Sequence, residues 1–156
     1  MLAYFSGLHF SLGGVSPQHT ETHKHRPIYY GIQYNHSGKV YVRKDNGARF
    51  EGEGAYAFIS HPEAFFEYGS PDNSPRSHNF VCFCGERVKS YITGGLLCIN
   101  PENPLIKVEN PIQFHKTLLE LIYIINNSPT LPERAVLMLE ELLLSLHEHR
   151  EVKQNV

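Results

Sequence analysis

Turn-forming residues divide the first 109 positions into short apolar runs, and this pattern restricts the fold more than any other feature of the sequence. The clearest turns are His36-Ser37-Gly38, Asp45-Asn46-Gly47, Gly52-Glu53-Gly54 and residues 69–75. Glycine and asparagine tolerate positive φ and proline fixes φ, so these segments reverse the chain. Seven strands are predicted between the turns, over residues 5–10, 28–34, 39–43, 55–60, 78–84, 96–99 and 105–108. Strands at this spacing, with no helix predicted between them, indicate an antiparallel sandwich or barrel.

The pattern becomes helical after Asn110. Asn110-Pro111 provides an N-cap followed by proline at the first helical position. Apolar residues then recur at helical spacing over residues 114–125. Residues 126–129 end this helix, and Thr130 to Glu133 has the spacing of a capping box that opens a second helix, to about residue 150. The sequence therefore predicts an N-terminal arm and β region over residues 1–109 and a helical segment over residues 110–156.

The second predicted helix has two apolar faces. Its broad stripe consists of Ala135, Val136, Leu139, Leu142, Leu143 and Leu146. Leu137 and Leu144 fall on the nearly opposite side, next to Glu141. We expect the broad stripe to pack on the domain, and Leu137, Leu144 and Glu141 to form the interface of a homodimer. The alternative is one buried helix with two exposed leucines.

Charge and cysteine content exclude several classes of protein. The chain has 156 residues, enough for one domain with a core, and its formal charge of -2 gives no basic surface for nucleic acid. Three cysteines favour a reducing compartment over a disulfide framework, which predicts a cytoplasmic location. The first 23 residues contain no Lys or Arg, whereas a signal peptide begins with a basic region, so no signal peptide is predicted. No apolar run reaches about 18 residues, so no membrane span and no membrane partner are expected.

Ten histidines invite the hypothesis of a metal site. His23 and His25 would face the same side of a strand, so both imidazoles could reach one ion. A metal centre needs at least a third ligand, for which His61 or His78 are the candidates. Because the spacing secures two ligands only, the sequence predicts no metal and no cofactor, with surface histidines as the simpler interpretation.

One predicted strand is suited to line a cavity. His78, Phe80 and Cys82 alternate with Asn79, Val81 and Phe83, so the first three share a face. An imidazole beside an aromatic ring, with the nearby Tyr68 hydroxyl, can hold a small polar molecule such as a sugar. The alternative is that His78 is a core or rim histidine. No nucleophile elbow, P-loop or dinucleotide fingerprint is present, and we predict that the protein is not an enzyme.

An ordered set of motifs resembles the N-terminal effector-binding and dimerisation domain of AraC-family transcription regulators, a regulatory cupin. Residues 28–38 resemble the family's strand that ends in a glycine turn, residues 54–68 its Gly-Asp…Pro…His-x-Tyr segment, and residues 78–83 its His-x-Trp-x-x-Phe strand. Residues 139–144 resemble the dimerisation helix. The resemblance covers about residues 28–150 and implies a mainly β fold: a cupin-like double-stranded β-helix, or jelly-roll barrel, followed by two C-terminal α-helices.

The resemblance also implies a function and a site. Tyr68, His78 and Phe80 match positions that contact a sugar effector, and Asn35 or His36 falls near a further polar contact. Phe66 replaces the late histidine of the cupin pattern, which agrees with a metal-free barrel. DNA would be contacted by two helix-turn-helix units beyond the second helix, absent from these 156 residues. The competing hypotheses are a metal-dependent isomerase or dioxygenase using His23, His25 and His61 or His78, and a stand-alone carbohydrate-binding barrel.

Overall fold

A computed structural model describes residues 2–127 and 132–154. A short 3-10 helix, Ala3–Phe5, precedes the strands. The strands are β1 His9–His19, β2 His23–His25, β3 Tyr30–Asn35, β4 Lys39–Lys44, β5 Arg49–Glu53, β6 Tyr56–Ser60, β7 Phe66–Gly69, β8 Arg76–Cys84 and β9 Ile106–Lys107. The helices are α1 Glu86–Thr93, α2 Pro111–Asn127 and α3 Pro132–Gln154. The prediction of a mainly β fold with two C-terminal helices is confirmed.

The strands form two antiparallel sheets with the strand order of a jelly roll. One sheet has the order β1-β8-β3-β6-β9 and the other β2-β7-β4-β5. Most neighbours are distant in sequence, since β1 pairs with β8 and β2 with β7. The β4–β5 hairpin is local, and Asp45 and Asn46 at its tip have φ of 51° and 57°. Two successive residues at positive φ form the turn that matches the twist of a hairpin, as the Asp-Asn-Gly signal predicts.

The core has two parts, on opposite faces of the larger sheet. The first lies between that sheet and the helices, and includes Ile32, Tyr34, Val81, Phe83, Phe114 and Leu118. The second lies inside the barrel and consists of Val40, Val42, Phe58, Ala64, Phe66, Tyr68 and Leu105. Because side chains alternate along β3 and β8, each strand supplies apolar groups to the helical side and different groups to the barrel interior.

Helix α3 buries one face and exposes the other. Every residue of the predicted broad stripe is at most 4% exposed, whereas Leu137 is 46% and Leu144 47% exposed. Glu141 is exposed beside them, as the two-face prediction requires. Asn110 caps α2, since its side-chain Oδ1 accepts a hydrogen bond from the Gln113 amide at 3.4 Å. Thr130 of the predicted capping box lies outside the described residues. No described helix is long and apolar enough to cross a bilayer.

Two predicted strands differ from the structure. Residues 96–99 form no strand, because the amides of Leu96 and Leu97 donate to the Tyr91 carbonyl at the end of α1. Helix α1 itself contradicts the expectation that no helix separates the strands. Residues 5–10 are interrupted at Gly7, whose φ of +90° separates the 3-10 helix from β1. Strands β2, β5 and β7 were not predicted.

The N-terminal segment packs against the helices. The backbone amide of Leu2 donates to Glu133 Oε1 on α3 at 2.9 Å. Arg87 on α1 donates to the backbone oxygen of Tyr4 and pairs with Glu140 on α3, with 2.8 Å between Nε and Oε2. The 3-10 helix is therefore tied to α1 and α3, and the next residues enter β1 along the wall of the barrel.

Candidate functional site

A cavity of about 530 Å³ lies inside the barrel, next to its filled half. This volume falls within the usual range of small-molecule sites. Residues from β1, β2, β3, β6, β7, β8 and the β2–β3 connection line it: Leu12, Ser16, His19, His23, His25, Arg26, Pro27, Ile28, Tyr29, Gln33, Ser60, Tyr68, His78, Phe80 and Cys82. The predicted shared face of His78, Phe80 and Cys82 is the face that forms the wall.

His78 is a neutral hydrogen-bond donor at one end of this cavity. Its Nδ1 lies 2.8 Å from Arg76 Nη2, and a guanidinium can only donate, so Nδ1 accepts and the ring proton is on Nε2. Burial, and after it the charge of Arg76, lower the pKa of His78 to about 2. The imidazole therefore stays neutral at physiological pH and keeps this tautomer.

Arg76 is a buried cation with neutral partners. It is 2% exposed, and besides His78 its guanidinium donates to Asn35 Oδ1 at 3.3 Å. Among the described residues, its Nε has no hydrogen-bond partner. Burial lowers the pKa of Arg76 to about 10, so the side chain is still protonated near neutral pH.

His19 and His23 lie next to His78 and are joined by a hydrogen bond between their imidazole rings. Their Nε2 atoms are 2.7 Å apart, the rings are parallel within 1°, and the ring centroids are 4.9 Å apart. At this centroid spacing the two Nε2 atoms point at each other, so one nitrogen donates and the other accepts. The second nitrogen of His19, Nδ1, lies 3.0 Å from Ser16 Oγ. Burial lowers the pKa of both histidines, which favours the neutral pair.

Three side chains here have the composition of a metal site. Ligand atoms of His19, Glu21 and His23 lie within 4.8 Å of one another. The two Nε2 atoms are 2.7 Å apart, too close to coordinate one ion from opposite sides, so metal binding would require the rings to move apart. His25 also lines the cavity, whereas His61 lies elsewhere, with its Nδ1 2.6 Å from the Pro62 carbonyl.

Aromatic rings complete the polar end of the cavity. The Tyr68 ring stacks on His23 and on His78, with centroids 5.0 and 5.9 Å apart. Burial raises the pKa of the Tyr68 phenol to about 12, so it remains a neutral hydroxyl. Phe80 packs edge-on against His78 and covers Gly14 of β1, where a Cβ atom would lie 2.6 Å from the phenyl ring. Gly14 is thus required for the position of this ring.

The structure divides the predicted site residues into two groups. Tyr68, His78 and Phe80 meet in the cavity wall. Asn35 lies below it, where its Nδ2 donates to the carbonyls of Gly38 and Gly54 and so fixes two turns. His36 lies outside the barrel, stacked on His115 with 3.8 Å between ring centroids.

Sequence reasoning missed His19, Arg76 and Gln33. Gln33 shares the inward face of β3 with Asn35, two positions along, and donates to Ser60 Oγ at 3.1 Å. Arg76 precedes His78 by two residues, so the alternation that grouped His78 with Phe80 could also have found it. No sequence signal places His19 here, because β1 reaches the cavity through a pairing with β8 that spans about 60 residues of chain.

No family model matches the sequence, and no curated protein matches it. Among solved structures, ToxT from Vibrio cholerae bound to (E)-4-(8-methylnaphthalen-1-yl)but-3-enoic acid aligns with a TM-score of 0.50 at 13% identity. The alignment covers 92% of this chain and 57% of that one. The Schizosaccharomyces pombe Cnp3 cupin domain has a TM-score of 0.40 at 13% identity, covering 56% of this chain and 71% of that one.

The fold is a jelly-roll barrel followed by two C-terminal helices. The predicted jelly roll is confirmed by the strand order of the two antiparallel sheets. At such low identity the similarity concerns the fold alone. The residues of the cavity therefore have to be interpreted from their own chemistry, which combines imidazoles, hydroxyls and an aromatic ring with apolar side chains.

Proposed function

We propose that this chain is the ligand-sensing and dimerisation domain of an AraC-type transcription regulator. The cavity inside the barrel, with its ordered polar end, is the observation that carries the proposal. In this proposal the barrel binds a small effector and performs no reaction on it. The helices transmit the bound state to a DNA-binding domain outside this chain, and the protein acts in the cytoplasm.

Similarity to a regulator supports this assignment. ToxT is an AraC-family regulator, and another structure of it, with a TM-score of 0.49, contains a bound unsaturated fatty acid. The motifs over residues 28–38, 54–68 and 78–83 resemble the same family. The ToxT alignment extends over 92% of the present chain, so it includes the helices that follow the barrel.

The effector would be held by the residues that the resemblance implied and the cavity brings together. Tyr68 and His78 offer hydrogen bonds at the polar end, and Phe80 offers a flat apolar surface. A sugar is the effector class implied by the resemblance. The same groups can also bind other small molecules with a polar head, so a binding screen has to identify the chemical class of the effector.

A thermal-shift screen with sugars and small organic acids tests the proposal. A ligand that binds only the folded state stabilises it by about 2.7 kcal/mol at a hundred times its dissociation constant. For a domain of this size that raises the melting temperature by roughly 5–10 °C. Phe80→Ala should abolish the shift, while Tyr123→Ala, on the exposed face of α2, should retain it. Absence of any stabilising compound would contradict the proposal.

A metal-dependent cupin enzyme is the second candidate, favoured by the cluster of His19, Glu21 and His23. Elemental analysis of protein purified without an affinity tag separates the two. Iron, manganese or zinc at near-stoichiometric amounts, reduced in His19→Ala, would favour the enzyme. Metal well below stoichiometry would favour the sensor.

A further inference from the structure

The lining of the cavity is rich in basic side chains and includes no acidic one. Four histidines and Arg26 are among the residues that line the cavity, and none of the lining residues is Asp or Glu. The nearest acidic group of the cluster, Glu21, is exposed at the β1–β2 connection. A ligand that enters the polar end of the cavity therefore meets neutral imidazoles and the Arg26 guanidinium.

Arg76 lies directly behind this wall, and no described carboxylate is paired with it. Its hydrogen bonds go to a histidine nitrogen and an amide oxygen, both neutral, and its Nε has no partner among the described residues. Within residues 2–127 and 132–148, no carboxylate forms an ion pair with it. Burying an unpaired cation is costly, and native proteins normally offset the cost with an anion. A buried guanidinium without an ion-pair partner among these residues indicates that an anionic group of a ligand binds close to it.

His78 connects that charge to the cavity. Arg76 donates to Nδ1, so the Nε2–H of His78 is the group left for the ligand, and the guanidinium polarises it toward stronger donation. The hydroxyls of Ser16 and Tyr68 flank the same end of the cavity. Together these groups form a set of donors suited to a carboxylate, whose two oxygens only accept hydrogen bonds.

The opposite end of the cavity is largely apolar, and its polar side chains, Gln33 and Ser60, hydrogen-bond to each other. The register of β1 and β8 pairs Ser16 with His78 and, four residues along β1, Leu12 with Cys82. Phe80 separates these two levels, and Pro27 and Ile28 of the β2–β3 connection also line the cavity. A ligand that satisfies the whole cavity has an acidic head and an apolar body.

We propose that the effector is an organic carboxylate with an apolar body, whose head accepts a hydrogen bond from His78 and offsets the charge of Arg76. This inference rests on the proposed function, since it assigns a chemical class to the effector of the same cavity. A neutral sugar, which the resemblance implies, would leave the charge of Arg76 uncompensated.

Matched ligand pairs test the inference on the full chain. Decanoate and 4-phenylbutanoate are compared with their methyl esters by calorimetry and thermal shift. Wild-type protein should bind each carboxylate at least about tenfold more tightly than its ester, because a charge-assisted hydrogen bond usually increases affinity by about that factor. Arg76→Met and His78→Met should reduce this ratio to about one. His78→Gln, which keeps a donor, should restore part of it, and His9→Met, an exposed histidine, should leave the ratio unchanged.

The outcomes separate this inference from the proposed function. If esters or sugars bind as tightly as the carboxylates, the inference of a carboxylate effector is wrong, but the proposed ligand-sensing function is still supported. Failure of every probe, sugars included, contradicts both. If Arg76→Met does not fold, the wild-type ratio and the two His78 variants decide the result.

Discussion

His78 obtains its properties from its position two residues after Arg76 on one strand. Alternation along β8 directs both side chains into the barrel, where the guanidinium fixes the imidazole tautomer and burial keeps the ring neutral. A histidine at the same sequence distance from an arginine on a helix would not face it in this way. At the residue scale, the donor in the cavity is thus a product of strand geometry.

Stability should fall in mild acid because His78 cannot be protonated in the folded state. Its pKa is about 2 in the folded state and about 6.5 in the unfolded state. Below pH 6.5 the unfolded chain therefore binds more protons, and the free energy of unfolding decreases. The contribution is fully present above that pH and decreases by about 1.4 kcal/mol for each unit below it. Urea denaturation between about pH 5 and 7.5 measures the slope, which His78→Gln should reduce by that amount. An equal slope in His9→Gln and His78→Gln would contradict the assignment.

Which residues face the cavity could be predicted from alternation, but only where the strand boundaries were correct. The grouping of His78, Phe80 and Cys82 held because β8 was predicted nearly in full. The candidate contacts Asn35 and His36 came from motif resemblance, and β3 ends between them. Asn35 therefore points inward to fix turns, while His36 leaves the barrel toward α2.

At the scale of elements, local signals were sufficient for hairpins and long helices. The Asp45-Asn46 turn and the Asn110 cap appear where the sequence placed them. Residues 96–99 look like a strand by composition, yet their amides are used by the end of α1, so hydrogen bonding overrode propensity. The short strand β2 pairs with β7, and β7 also pairs with β4; these are long-range contacts that no local pattern contains.

Arg87 should hold the N-terminal segment against the helices. It binds Glu140 with Nε and Nη2, and Tyr91 donates to the same carboxylate at 2.7 Å. Because the pair is largely buried, Arg87→Met should cost about 1–3 kcal/mol of unfolding free energy and speed amide exchange over residues 2–8. Lys89→Met, which removes an exposed ion pair on the same helix, should change little. Unaltered exchange in Arg87→Met would show that this network does not hold the segment.

For the whole molecule, the change of composition at Asn110 predicted the arrangement of a β barrel followed by helices. It could not predict which half of the barrel is filled. That depends on Val40, Val42 and Phe66 meeting across the smaller sheet, while histidines and Gln33 occupy the other half. The division follows from strand pairings that join residues far apart in sequence, and these determine where the cavity lies.

The exposed face of α3 should join two copies of the chain. The opposite stripe is already buried against the domain, and the described part of the chain leaves Leu137 46% and Leu144 47% exposed. Leu137→Glu/Leu144→Glu should shift the protein from dimer to monomer in sedimentation equilibrium, because four glutamates would then face one another across the interface. Each change is at an exposed position, so the unfolding free energy of the monomer should change by less than about 1 kcal/mol. Ile112→Glu, at an exposed site on α2, is the matched control and should remain dimeric. A dimer that survives the double change, or a wild-type protein that is monomeric at all concentrations, would assign dimerisation to another surface or to none.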